Sequence, residues 1–536
     1  MLRNILRKEI SKIVGAEIEV KISEPERAEF GDFSTNAAFA LSKTPKEFAE
    51  KLAEKLSKSS KIIQRAESKN GFINIFLKDE VLLKALGERV KFPKKKEKIN
   101  VEFVSANPTG PLTMANARGG FLGDVLANVL KKTGENVIRE YYINDAGNQI
   151  KLLGDSVLAE LNLCPKKLEH YRGKYIESYA ESIRTKLQKF KKAGYTIAVV
   201  GGLTVDLEGD EFKVLEIANV KDVGEIAMRN KIDPSGAFKQ SLEEIKNSLE
   251  KSKIKFDVWF SENEQLRKTG ELEAILKKLK TETKDGAVWF YDWVLVKSDG
   301  EFTYFLADLA YHHDKFFKRK FSLAIDVWGA DHAGHVERLK KGVEALEINL
   351  AKLKIIIVQM VRLVSSGKEV RMSKRTGEFV TMDELLEEVG LDAARWFFLA
   401  RAPETHMDFD LDLAIEKSDK NPVYYVQYAH TRMASILVKS KGKSQKVKVF
   451  SHQSERALAV KILRYPELLE DISRDYQVHR LTTYAYELAQ TFSAFYRDVK
   501  VIGSEREAEL LYLVSKAKET LADLLKLMGI SQPEQM

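Results

Sequence analysis

Apolar positions along this chain change their spacing three times. From Leu2 they recur at helical intervals (Leu2, Ile5, Leu6, Ile10, Ile13), pass through AEFGDFSTNAAFALS, and recur again from Phe48 to Leu56. The stretch closes on GFINIFL, where Phe72, Ile73 and Ile75 mark a strand. Residues 1–92 are therefore expected to form one α+β unit, and FPKKKEK at 92–98, a proline followed by lysines, is expected to be a linker. From Ile99 strands and helices alternate. Ile99, Val101 and Phe103 predict a strand ending at Ser105, and SANPTGPL is a loop by its proline and glycine content. Phe121, Leu122, Val125, Leu126, Val129 and Leu130 then predict a helix stopped at Thr133-Gly134, followed by the strand VIREYYI at 137–143. Strand, helix and strand in this order are the unit of a parallel sheet. FSLAIDVW at 321–328 and KIIIVQMVRLV at 354–364 add two more strands, the second almost unbroken, as expected where both sheet faces are covered.

The predicted sheet domain spans 97–412, interrupted by an insertion at about 160–290. Within that mostly helical insertion, residues 195–220 predict a strand pair. From 413 to 536 four segments carry helical periodicity and predict a bundle. The lysine-rich stretch KSKGKSQKVKV at 439–449 interrupts it, either as a solvated loop or hairpin or as a contact to phosphate.

Composition narrows this picture only slightly. Lysine and arginine number 87 against 79 acids, a formal charge of +8. That balance suits a nucleic-acid partner and suits an ordinary basic surface equally well. No apolar run reaches the roughly 18 residues that cross a bilayer. The opening MLRNILRKEISKIV has the pattern of a charged amphipathic helix rather than a leader. Cys164 is the single cysteine, so neither a disulfide framework nor a cysteine zinc site is expected.

Two stretches carry candidate chemistry. VEFVSANPTGPLTMANARGG at 101–120 is a strand, a loop and a helix start. Ligands of parallel sheets sit at the carboxyl ends of strands, and helix N-termini favour anions, so this is a candidate phosphate site or a structural turn. VRMSKRTGEFVT at 370–381 sets Arg371, Lys374 and Arg375 among small residues, a loop able to close on polyphosphate.

Taken together, these stretches resemble the arginyl form of the class I aminoacyl-tRNA synthetase signatures. SANPTGPL precedes the position of the H-x-G-H tetrapeptide, and RMSKR resembles the second, lysine-bearing signature. YINDAGNQI at 142–150, FTYFLADLAYHHDK at 302–315, WGADHAGHVERL at 328–339 and GLDAARWFF at 390–398 follow in the family's order. The resemblance covers nearly the whole chain. It implies an α/β, Rossmann-like parallel-sheet catalytic domain, with an N-terminal α+β added domain that contacts the outer corner of tRNA. It also implies a C-terminal α-helical anticodon-binding bundle.

The implied activity is arginine–tRNA ligation in protein biosynthesis. ATP with Mg²⁺ activates arginine, and the arginyl group passes to tRNA(Arg). The implied setting is a cytoplasmic monomer with no structural metal. By position, Thr113, Asn116, Lys374 and Arg371 take the catalytic places. Pro108, Gly110, Ala115, Asp331, His332, Met372 and Ser373 take the ATP places. Glu102, Ser105, Asn107, Tyr304, Asp308, Asp145 and Gln149 take the arginine places. In the bundle, Tyr424, Tyr425 and Tyr428 are candidates for stacking on bases or for packed core.

The chain departs from the family in both signatures: Arg371 stands where the second usually has lysine, which keeps the charge, and in the first Ala115 replaces the glycine and both histidines are missing. The tetrapeptide is Thr113-Met114-Ala115-Asn116, with no histidine, while His332 and His335 match H-x-G-H in the wrong context. A threonine hydroxyl and an asparagine amide can both donate hydrogen bonds, and are expected to do the work of the two imidazoles. The altered motif also leaves open a synthetase-like protein that binds tRNA or nucleotide without activation.

Overall fold

The computed structural model describes residues 1–15, 21–25, 28–88, 90–200, 203–208, 211–214, 231–232, 235–370, 380–440 and 444–536. They form two compact units: Lys95–Lys131 with Glu135–Ile415, and Met1–Lys94 with Lys132–Gly134 and Glu416–Met536. Among the described residues no helix is long and apolar enough to cross a membrane.

The first unit is built on a parallel sheet of β1 (Lys98–Glu102), β2 (Asn136–Ile143), β3 (Val258–Ser261), β4 (Leu323–Gly329) and β5 (Leu353–Val358). Their order across the sheet is β3-β2-β1-β4-β5, and every neighbouring pair is parallel. The order reverses between β1 and β4, so the chain leaves the two strand ends in opposite directions and opens a crevice there. Helix α1 (Met114–Lys132) follows β1 and buries Phe121, Val125, Leu126 and Val129. Gly123 allows its close approach to β1, because a β-carbon there would fall 2.2 Å from Cγ of Phe103. Helix α2 (Tyr304–His313) buries Phe305, Leu306, Leu309 and Ala310 in one cluster with Phe260, Leu339 and Val343.

Two strand assignments differ from the sequence pattern. The apolar run at 354–364 is two strands: β5, and Val361–Ser365, which joins a separate sheet with Lys368–Glu369 and Met407–Asp410. The break falls at Gln359, whose N–H donates to the Pro403 carbonyl (2.8 Å) and whose own carbonyl accepts from Arg118 Nη1 (2.7 Å). Arg118 is buried and also donates to the carbonyls of Ala402 (3.0 Å) and Thr405 (2.8 Å). These partners are distant in sequence, so periodicity carries no trace of the break. The second difference is β3, which lies inside the range expected to be inserted. It completes the sheet by pairing with β2, and Trp259 stacks on Tyr141 at 4.6 Å.

The inserted region holds helices Lys174–Lys192 and Ser235–Lys251 and an antiparallel hairpin, Ile197–Val200 with Leu203–Asp206. This is the strand pair expected at 195–220, although 215–220 lie outside the described residues.

In the second unit the helices Leu2–Val14 and Pro45–Ser59 accompany an antiparallel sheet. Its strands run in the order Ile22–Ser23, Phe33–Thr35, Phe72–Leu77, Ile63–Lys69. The last strand is largely polar and exposed, which hid it from the hydrophobic pattern. The bundle helices are Pro422–Lys439, Gln453–Asp475, Arg480–Asp498 and Glu507–Met528. Residues 444–449 run without helix or strand, and 441–443 of the lysine-rich stretch lie outside the described residues.

Charge locks the N-terminal sheet to the bundle. Arg456 grips the buried Asp32 with both terminal nitrogens (2.8 and 2.7 Å) and reaches Asp79 with Nε (2.8 Å). Asp32 also accepts from the Leu77 N–H (2.7 Å), so the guanidinium braces a sheet corner that is already tied. A paired buried carboxylate that loses its partner typically costs about 3–5 kcal/mol, and the partial exposure of Arg456 points to the lower end. Arg456→Met is therefore expected to lower the stability of this unit by about 3 kcal/mol in urea titration. Adding Asp32→Asn should recover part of the loss, and a double mutant no better than the single would show that the ion pair is not the source.

Candidate active site

At the carboxyl ends of β1 and β4 the first unit opens into a cleft of about 1040 Å³. Its first wall is the loop after β1. Val104 and Ser105 both take positive φ, 67° and 37°, although neither is glycine. A β-branched residue there is strained by about 1–3 kcal/mol and persists only where its surroundings hold it. Here Ser105 Oγ donates to Glu102 Oε1 (3.0 Å) and accepts from the Tyr142 N–H (3.1 Å), while Tyr141 donates to the Ala106 carbonyl (2.8 Å). The loop is thus bent back over the strand ends, and Ser105 and Asn107 line the cleft.

The loop ends at the start of α1, where Thr113 and Asn116 cap the helix reciprocally. Asn116 Oδ1 accepts from the backbone N–H and the hydroxyl of Thr113, both at 2.9 Å, and Thr113 Oγ1 faces the Asn116 N–H at 3.4 Å. This is the geometry of a capping box with asparagine in the glutamate place. The Thr113 N–H needs an acceptor, which fixes the amide oxygen toward it and leaves Nδ2 as the donor end. The Thr113 hydroxyl proton is directed at Asn116. Thr113 thus holds the donor end of Asn116 in place.

Gly110, Ala115, Thr113 and Asn116 line the cleft, whereas Pro108 is buried within the loop. Arg371, Met372, Ser373, Lys374 and Arg375 lie outside the described residues. The residue that follows their segment is placed: the Val380 carbonyl accepts from the Met114 N–H (3.1 Å), and Thr381 bridges to Thr113. Thr381 also caps the helix Met382–Val389 in a capping box with Glu384. The described chain thus resumes at Val380 beside the tetrapeptide.

Opposite this wall, α2 presents Tyr304 and Asp308 one turn apart, both on the cleft. Tyr304 is 44% exposed at the rim. The Asp308 carboxyl is pushed up to about 7, by burial first. His312 and Arg338 pull it down and the Glu102 and Glu262 carboxylates push it further up. Among the described residues no side chain hydrogen-bonds this carboxylate. Glu102 is tied to Lys315 Nζ (2.7 Å), which also holds Asp326 Oδ1 (2.8 Å). His312 Nε2 meets the other Asp326 oxygen at 2.8 Å. Burial raises Asp326, but Lys315 and His312 outweigh it and hold the carboxyl below the ordinary carboxylate range.

Glu262 also faces the cleft and was not legible in the sequence, because SENEQ carries no spacing signal. It accepts from the Tyr142 hydroxyl (2.9 Å) and Arg267 Nε (2.6 Å). Gln149 lines the cleft and accepts from the Tyr171 hydroxyl. Asp145 is turned away from the cleft: it accepts from Ser261 Oγ and the Asn263 N–H (2.8 Å) and so fixes the turn that carries Glu262. Asp331 and His332 line the far rim after β4. The rings of His332 and His335 are 5.5 Å apart, and among the described residues no group of three metal-ligating side chains is assembled.

The geometry is therefore an acidic pocket under α2, joined to a helix N-terminus across the sheet's switch point. Three family profiles match in succession: the arginyl tRNA synthetase N terminal domain over residues 1–77, the class I (R) tRNA synthetase catalytic domain over 79–407, and the DALR anticodon binding domain over 426–536. The arginine–tRNA ligase of Carboxydothermus hydrogenoformans is 39% identical over 559 residues, spanning 97% of this chain and 95% of the relative. That of Thermotoga maritima is 37% identical over 581 residues, the full length of both. The solved arginyl-tRNA synthetase of Thermus thermophilus superposes with a TM-score of 0.76 over the whole of both chains at 22% identity, which shows the shared fold. The chain belongs to the arginyl-tRNA synthetase family, the class I ligases that join arginine to tRNA.

Proposed function

We propose that this arginine–tRNA ligase holds its amino-acid substrate by the guanidinium at Asp308 and builds the adenylate between that pocket and the start of α1. The observation that carries this is Asp308 itself, a carboxyl low in the cleft with no partner of its own among the described residues. A guanidinium is planar, permanently charged and rich in donors, so it suits such a site. Tyr304, Glu102, Ser105, Asn107 and Gln149 surround the rest of the substrate. Asp145 acts through Glu262 rather than by contact.

MgATP lies across the ends of β1 and β4, its phosphates toward the start of α1, where the helix dipole favours anions. Pro108, Gly110 and Ala115 shape that wall, and Asp331 and His332 close the nucleoside end. Arg371 and Lys374, with Met372 and Ser373 between them, are assigned to the phosphates by the family resemblance, and the described chain resumes at Val380 beside that wall. An oxygen of the arginine carboxylate attacks the α-phosphorus, the bond to the bridging oxygen breaks, and pyrophosphate leaves. The protein contributes position and charge more than proton transfer. The terminal adenosine hydroxyl of tRNA(Arg) then attacks the arginyl carbonyl and AMP leaves.

The bundle carries the anticodon contact. Tyr428 is 42% exposed beneath Arg432 (5.1 Å), whereas Tyr425 packs on Tyr486 (5.1 Å), so Tyr428 is the stacking candidate of the two. The enzyme works as a cytoplasmic monomer in this reading.

Arginine binding should then depend on pH. The substrate needs ionised Asp308, and the free carboxyl is raised to about 7, so the proton must leave before or with binding. Affinity for arginine is expected to be about tenfold weaker at pH 6 than at pH 8, with a proton released at the lower pH. Asp308→Asn should abolish that dependence and weaken arginine by about 2–5 kcal/mol while ATP binding stays near the parent's. Calorimetry in buffers of different ionisation heat reads both, and an unchanged arginine affinity across this range would remove Asp308 from the pocket.

The capping pair gives a second test. Asn116→Leu removes the outward donor and should slow single-turnover adenylate formation by about 10²–10³. Thr113→Val keeps the backbone N–H bond to Asn116 Oδ1 and should slow it by less than about tenfold, with a loss of about 1 kcal/mol in stability from the weakened cap. Equal losses in the two variants would mean that the Thr113 hydroxyl itself reaches the phosphates.

A further inference from the structure

We propose that Arg172, carried by the inserted segment 168–175, binds a phosphate of ATP and supplies charge that the histidine-free tetrapeptide cannot. The inference rests on the reading of this cleft as the ATP site. Its starting point is the electrostatic imbalance of the walls. Among the described residues the cleft is lined by the carboxylates of Glu102, Glu262, Asp308 and Asp331, against the guanidinium groups of Arg172 and Arg338. Such a lining suits the substrate guanidinium and opposes a polyanion, unless cations stand on the phosphate side. Arg338 stands at the opposite end of the cleft. It lies over the Phe305 ring at 5.1 Å and acts on Asp308, at the acidic end.

Arg172 is placed differently. It is exposed on the cleft and has no carboxylate partner among the described residues. Its segment is anchored on both sides. The Tyr171 N–H donates to Ser156 Oγ (2.9 Å) and the Tyr171 hydroxyl to Gln149. Three residues on from Arg172, Tyr175 closes against Gly110, where a β-carbon would lie 3.2 Å from Cε2 of the ring. Gly110 belongs to the loop that leads into Thr113 and α1, so this contact sets the inserted segment beside the phosphate wall. The strap therefore carries a free guanidinium along the cleft, next to the loop whose tetrapeptide offers one neutral donor. A guanidinium suits this task, because its parallel N–H groups match two oxygens of one phosphate.

The test is calorimetric binding of ATP, adenosine and arginine to the full-length protein and to Arg172→Gln and Arg172→Lys, without tRNA. Arg172→Gln is expected to weaken ATP at least tenfold, to leave adenosine and arginine unchanged, and to flatten the salt dependence of ATP binding. Arg172→Lys should recover part of the loss, since a point charge replaces the fork. Equal ATP affinity in the parent and Arg172→Gln overturns the proposal. So does a parallel loss of adenosine or arginine binding, which would make the strap a structural element. A separate titration with tRNA in which Arg172→Gln weakens tRNA while ATP keeps the parent's affinity also overturns it and assigns the guanidinium to the nucleic-acid backbone. Charging of tRNA with arginine by the parent tests the underlying reading separately.

Discussion

Lys315 holds the active-site end of the sheet together. Its ammonium is buried and reaches Glu102 at the end of β1 and Asp326 within β4, so one cation joins the two strands between which the order reverses. His312 completes the group by taking the second Asp326 oxygen and, through Nδ1, the Asp308 carbonyl (2.7 Å). An unpaired ammonium in such a place would be very unfavourable, and so would either carboxylate alone. The three groups are therefore mutually required, and they fix α2, β1 and β4 in one geometry. What the arrangement gives is less net stability than definition: Asp308 stands where it does because the turn after it is anchored to two strands at once.

That anchoring explains how the cleft can keep one carboxyl unpaired. Glu102 and Asp326 share Lys315, and Glu262 is held by Tyr142 and Arg267. Asp308 alone has no such neighbour among the described residues, and burial raises it toward neutrality. The strained backbone at Val104 and Ser105 belongs to the same design, because Ser105 links Glu102 to the β2 backbone and turns the loop into the cleft.

The tetrapeptide shows how a signature can change its residues and keep its place. Thr113 and Asn116 stand where the family resemblance puts histidines, and they solve a helix-end problem first, satisfying the N–H groups that open α1. The position of the amide follows from that cap. An amide has an accepting end, which the cap takes, and a donating end, which it leaves over.

The sequence by itself determined the class of the fold and the family. Local periodicity set β1, α1, β2 and β4 near their observed bounds, and the ordered motifs marked both walls of the cleft, because strand alternation, loop glycines and helix spacing are properties of neighbouring residues. It also placed Tyr304 and Asp308 on one helical face, which needs only the 3.6-residue repeat. Tertiary structure alone decided what depends on distant partners. The apolar run at 354–364 breaks at Gln359 because Arg118 and Pro403 claim its backbone, and β3 counts as a sheet strand only because β2 offers it an edge. Glu262 entered the pocket and Asp145 turned away from it through hydrogen bonds between segments more than a hundred residues apart. Lys315 carries no sign of its role in the sequence, since a lysine in a helical turn is ordinarily solvated. Only the packing of three elements around it makes its charge indispensable.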